Sequence, residues 1–177
     1  LISESDSRYL DAFPAWLRSL PEDAVAFAAV VADGAAPDSL RRVLASSLNY
    51  LFKSLDLIPD GIEDLGFLDD AFVLRVAALS VEADDLPEAV MRLRVEATLV
   101  RDFLGADFDN LDRFVRGLGT SPVRGRTVEQ IVSDADLAST FEGEVKGWAG
   151  GYHVPAFSRD TKNLVKLKSF FTAKLGG

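Results

Sequence analysis

The sequence predicts an all-α protein, a compact multi-helix bundle of about seven to nine helices. Three observations predict it. Apolar residues recur at three- and four-residue steps along nearly the whole chain. Prolines, glycines and capping residues punctuate those stretches at helical lengths. No run alternates with a period of two, and no internal repeat is present.

Tyr9, Leu10, Phe13, Trp16, Leu17 and Leu20 form the first stripe, with Ser3 or Ser5 as its start signal. Pro14 should kink or restart that helix. Pro21 suits the first turn of a second helix, where Glu22 and Asp23 favour the positive end. That second helix should run to Ala32 and stop at Gly34. Its apolar stretch, residues 24–31, is where a buried strand is most easily mistaken for helix.

Pro37 opens the next helix, with Asp38 and Ser39 in its first turn and Leu40, Val43, Leu44, Leu48 and Leu51 as its stripe. Pro59 disfavours helix at Ile58, so this helix ends earlier. A turn follows, then a helix over about 69–81. Pro87 starts a long helix to about Leu104, with Gly105 as terminator. Phe108, Leu111, Phe114, Val115 and Leu118 mark the next. Residues 117–126, GLGTSPVRGR, cluster glycine, serine and proline and read as a linker. It divides a helical part, 1–118, from a C-terminal helical extension, 127–177, expected to pack on the first part. In that extension Thr127 and Gln130 form a capping box. Helices over about 128–134 and 135–148, a loop over 149–155, and a last helix capped by Ser158 and reaching about Lys174 complete the chain. Phe13, Trp16, Phe52, Phe67, Phe72, Phe103 and Phe114 fall at helical spacing beside aliphatics and read as core.

The 177 residues are 48% hydrophobic and 27% charged, enough to bury a core. The net charge of −9 disfavours nonspecific nucleic-acid binding, which needs cations against phosphates. With no cysteine there are no disulfides, thiolate metal sites or thiol nucleophiles, which fits a reducing, cytoplasmic setting. The longest apolar run, residues 24–32, is far short of the ~20 residues a membrane helix requires.

The most informative stretch is LNYLFKSLDLIPDGIEDLGFLDDAFVL, residues 48–74. It places Asp56, Asp60, Asp69 and Asp70 in an apolar run broken by Pro59, Gly61 and Gly66. Buried carboxylates are costly unless they cap helices, pair with cations or hold a metal. Asp60 and Glu63 have the spacing of a capping arrangement, and Asp56 can cap the turn before Pro59. Asp69 and Asp70 open a helix, where the macrodipole stabilises a carboxylate by about 0.3–1 kcal/mol. Arg41, Arg42, Lys53 and Arg75 are the candidate counter-ions.

The elements Tyr50-Leu51, Asp56-Leu57-Ile58-Pro59-Asp60 and Gly66-Phe67-Leu68-Asp69-Asp70 resemble the signature of the YkvA-like family, the domain of unknown function 1232. The resemblance covers about residues 37–81. Ser54 and Glu63 stand where that signature usually has prolines. It implies a small helical domain without an established activity.

Two chemical readings of the acidic set stay open. In one, Asp56, Asp60, Glu63, Asp69 and Asp70 shape a turn that serves as structure or as a protein-binding surface, with no cofactor. In the other, Asp56, Asp60, Asp69 and Asp70 supply hard oxygen ligands to Mg²⁺, Mn²⁺ or Ca²⁺, for binding or for metal-dependent catalysis. Geometry weighs against the second, because Pro59 keeps Asp56 and Asp60 off one regular helix face. No complete set of catalytic residues is legible: His153 is the only histidine, no G-x-S-x-G elbow is present, and the glycines form no phosphate loop.

Residues 155–177 carry a net charge of +4, leaving −13 on the rest. Arg159, Lys162, Lys166, Lys168 and Lys174 provide the charge, opposite a face of Leu164, Leu167, Phe170, Phe171 and Leu175. This helix is expected either to pack on the acidic body or to contact an anionic, membrane-peripheral surface.

Overall fold

The computed structural model describes residues 1–53, 57–59, 62, 65–120 and 122–176. Among these residues it contains eight α-helices, three short 3₁₀ turns and no strand, so the all-α bundle is the observed fold. The helices are α1 (Glu4–Ala32), α2 (Asp38–Asn49), α3 (Leu68–Ser80), α4 (Glu88–Leu104), α5 (Phe108–Arg116), α6 (Val128–Ser133), α7 (Ala135–Gly150) and α8 (Thr161–Leu175).

The expected break near Pro14 and restart at Pro21 do not occur. One helix of 29 residues runs through both prolines, with Ser3 as its N-cap accepting from the Asp6 amide at 3.1 Å. A proline ring removes one helical hydrogen bond and crowds the carbonyl four residues earlier, commonly costing about 3 kcal/mol. Burial of Phe13, Trp16, Leu17, Leu20, Phe27 and Val31 on the core side of α1 offsets that cost. At Pro21 the fold also replaces the lost bond: the Tyr152 hydroxyl donates to the Leu17 carbonyl at 2.8 Å.

Helix α3 is the centre of the bundle. Nearly every residue from Leu68 to Ala78 is buried, as expected of a helix without a polar face. It packs against α1, α2, α4 and α5. Phe72 stacks on Phe171 of α8 with ring centroids 5.0 Å apart, and lies edge-on to Phe13 and Trp16. Phe13, Trp16, Phe72 and Phe103 are core residues as expected, while Phe52, Phe67 and Phe114 are half-buried.

Local signals set the helix ends. Gly105, at φ 56°, closes α4. Thr127 and Gln130 form the expected capping box of α6. Helix α8 departs from expectation at its start: Asp160, not Ser158, is the cap, accepting from the Lys162 amide at 2.9 Å. Ser158 instead accepts from the Asn163 side-chain amide, through both its carbonyl and its hydroxyl.

Within residues 117–126, Arg124 and Gly125 adopt positive φ in a tight turn closed by paired backbone bonds between Val123 and Arg126. Arg124 and Arg126 pair with Glu144 of α7 and lie over the Phe52 and Phe141 rings, respectively. Helix α7 lies along α1, and α6 packs on α2. Arg41 links these layers from a buried position. Its Nε donates to the Val31 carbonyl in the last turn of α1, and its Nη1 to the Val132 carbonyl in the last turn of α6.

Candidate functional site

The acidic stretch is organised around a buried phenol and a buried carboxylate. A 3₁₀ turn over Tyr50–Phe52 continues α2 and carries the Tyr50 ring fully inside. Asp69, the second residue of α3, is also fully buried. The Tyr50 hydroxyl donates to Asp69 Oδ2 at 2.6 Å. The same hydroxyl accepts the Leu57 amide at 2.6 Å, and Asp69 Oδ2 also accepts the Ile58 amide at 3.3 Å. One carboxylate oxygen therefore fixes two separate points of the approach to Pro59.

This arrangement has a physical logic. A carboxylate in the first turn of a helix gains from the macrodipole, and charge-assisted bonds offset much of its desolvation. Burial, and then the adjacent Asp69 charge, holds the Tyr50 phenol well above its ordinary range. Tyr50 is therefore a permanent donor near neutral pH, a bolt and not a proton shuttle. Leu57, Ile58 and Leu65 are buried. Asp70 is buried as well. Asp56, Asp60 and Glu63 lie outside the described residues, as does the proposed capping pair of Asp60 and Glu63. Among the described residues, no three His, Cys, Asp or Glu side chains are grouped to hold a metal ion.

Beside this brace sits Phe67, at φ 69°. The left-handed region is unfavourable for a bulky residue. Aromatic contacts hold it there: the ring lies edge-on to Tyr152 at 5.2 Å and to Trp148 at 6.2 Å. The C-terminal extension thus clasps the residue that starts α3.

A second buried charge cluster is not legible in the sequence. Arg75 was a candidate counter-ion for the acidic turn, but it faces the other way. Its guanidinium lies over the Trp16 ring at 4.2 Å and donates to the Ala71 carbonyl at 3.0 Å. Its Nε and Nη2 lie 3.1 and 2.9 Å from Glu96 Oε1, and Nη2 lies 3.6 Å from Asp23. Arg92 pairs with both of these carboxylates, and the Ser19 hydroxyl donates to Asp23 at 2.9 Å. Burial pushes Arg75 down to about 10 despite the two acids. The available signals were weak ones: an isolated arginine in an apolar run, and the four-residue spacing of Arg92 and Glu96. The other candidate counter-ions are also engaged elsewhere. Arg42 forms a two-pronged pair with exposed Glu129, which raises Arg42 and lowers Glu129 from their ordinary ranges. Lys53 lies over the Phe114 ring.

Helix α8 docks its apolar face, with Leu164, Leu167 and Phe171 buried. Arg159 pairs with Asp11 and Ser7 of α1, and Lys168 lies over the Phe103 ring. Lys162, Lys166 and Lys174 are exposed, as is His153. No helix among the described residues is long and apolar enough to cross a membrane.

Fold and site together define an all-α bundle whose central turn is braced from within by a buried tyrosine–aspartate pair. Residues 41–75 match the protein family of unknown function DUF1232, in agreement with the resemblance read from the motif. The match runs from the buried Arg41 that ties α1 to α6 to the buried Arg75 of the ion cluster. No curated protein and no solved structure matches the chain.

Proposed function

We propose that the protein is a non-enzymatic interaction module whose DUF1232 segment presents a braced turn to a protein partner. The observation that carries this reading is the Tyr50–Asp69 pair. Asp69 spends its Oδ2 on the Tyr50 hydroxyl and the Ile58 amide, in a place closed to solvent. A carboxylate so committed is a structural support for the approach to Pro59. The residues proposed to meet the partner are Asp56, Asp60 and Glu63.

Partner recovery from a lysate is the test, comparing wild type with an Asp56→Asn, Asp60→Asn variant and with Asp56→Lys, Asp60→Lys. Loss of the recovered partner in both, with circular dichroism and melting temperature retained, is expected. Undiminished recovery by the folded lysine variant would overturn the reading. Calorimetric titration with Mg²⁺, Mn²⁺ and Ca²⁺ tests the metal reading separately. The expected result is no heat and no rise in melting temperature; a saturable one-site isotherm abolished by Asp60→Asn would replace the interaction module with a metal site.

A further inference from the structure

Two exposed patches on this chain carry aliphatic side chains beside charges of opposite sign. The first is a cleft of about 560 Å³ between α4 and residues 81–87. Met91 and Val95, one helical turn apart on α4, form an apolar edge at 55% and 70% exposure. Glu82 and Asp84 line the same cleft, with Asp85 next to Asp84 in the chain. The one cation in the lining, Arg94, is tied down by its bond to the Val81 carbonyl.

The second patch lies on the outer face of α8. Val165 is 67% exposed, and the exposed Lys162 and Lys166 stand three residues before it and one after it. Neither lysine forms an ion pair among the described residues. Val165, at the wall of a shallow cleft with Lys168, Ser169, Thr172 and Ala173, is thus an aliphatic side chain beside cations, and the cleft on α4 has an aliphatic edge beside carboxylates. Among the described residues the exposed large apolar side chains are Leu1, Ile2, Met91, Val95, Val154 and Val165, and three of these six lie on the two patches of opposite sign.

We propose that the Lys162–Val165–Lys166 stripe of one molecule docks into the Met91–Val95 cleft of a second copy. Val165 covers Met91 and Val95, and the lysines meet Glu82 and Asp84. Electrostatic complementarity of this kind fixes register and partner choice. The contact joins two different patches, so it is heterologous in type. An anionic membrane is a poorer occupant of the stripe. The chain outside residues 155–177 carries −13, which an anionic surface repels, and the apolar face of α8 is already docked on the body. The overall −9 charge keeps the self-contact weak, and moderate salt relieves that repulsion while also screening the local pairs.

Sedimentation of the full chain from about 10 μM to about 1 mM, the range of weak association, is the test. The average mass is expected to rise with concentration. Val165→Glu and Met91→Glu should each weaken association at least tenfold. All the altered residues are exposed, so the variants should fold, with circular dichroism as the check. The discriminating pair is Lys162→Glu, Lys166→Glu against Glu82→Lys, Asp84→Lys. Each alone should be monomeric, and their mixture should associate. A monomer throughout, or a mixture that stays monomeric, overturns the proposal. So does a wild type that remains monomeric yet binds phosphatidylglycerol vesicles through Lys162 and Lys166, which would assign the stripe to a membrane.

Discussion

The Tyr152 hydroxyl donates to the Leu17 carbonyl at 2.8 Å, the acceptor that Pro21 leaves without its helical partner. Residues 135 positions apart thereby repair one helix. The C-terminal extension is thus part of what allows α1 to run uninterrupted.

Tyr152→Phe is expected to cost about 1 kcal/mol, the net worth of one buried neutral hydrogen bond. Pro21→Ala restores an amide to Leu17. In that background the Tyr152→Phe cost should shrink. Urea melts of the four proteins read this coupling directly. Equal costs in both backgrounds would show that the hydroxyl does not serve the proline-orphaned carbonyl.

Arg75→Met should destabilise the fold by about 3–5 kcal/mol, because it removes the fully buried cation between Asp23 and Glu96. Arg75→Lys should rescue little. A lysine cannot stack a planar group on Trp16 while reaching Glu96 and the Ala71 carbonyl together. Chemical denaturation checks both; a lysine variant as stable as wild type would deny the forked geometry a role.

Alkaline pH should unfold the protein through Tyr50. Its folded pKa lies above the unfolded value of about 10, so above that pH the unfolded state binds fewer protons and stability falls as pH rises. Below pH ~10 the contribution is fully present. Arg75 acts in the opposite sense, since its folded pKa of about 10 lies under its ordinary range and stability is gained as pH rises past it. Ultraviolet titration of wild type against Tyr50→Phe should show the Tyr50 phenolate appearing only as the circular dichroism signal collapses. Reversible ionisation of Tyr50 in the folded protein would contradict the buried bolt.

The helix ends were largely legible because they depend on neighbours in sequence. Gly105 stops α4, Pro87 precedes α4, and Thr127 and Gln130 cap α6, all through contacts a few residues long. The continuity of α1 was not legible, because the donor that replaces the Pro21 amide lies near the other end of the chain. The same holds for the site. Carboxylates at 69 and 70 marked the start of α3 correctly. Their burial depends on α3 being enclosed by its neighbours, which no local pattern states. Arg75 looked like a counter-ion for the nearby aspartates, yet its partners are Asp23 and Glu96, on α1 and α4. The pairing of this buried arginine follows helix packing and not proximity along the chain.

A double-mutant cycle on Tyr50→Phe and Asp69→Asn, measured by urea unfolding, tests the central claim most directly. If Asp69 is a brace, each single change should cost on the order of 1.5–3 kcal/mol, and the pair should couple by more than about 1 kcal/mol. If Asp69→Asn instead leaves the protein equally or more stable, the carboxylate is held at the expense of the fold, as reactive groups are, and the structural account of the turn is wrong.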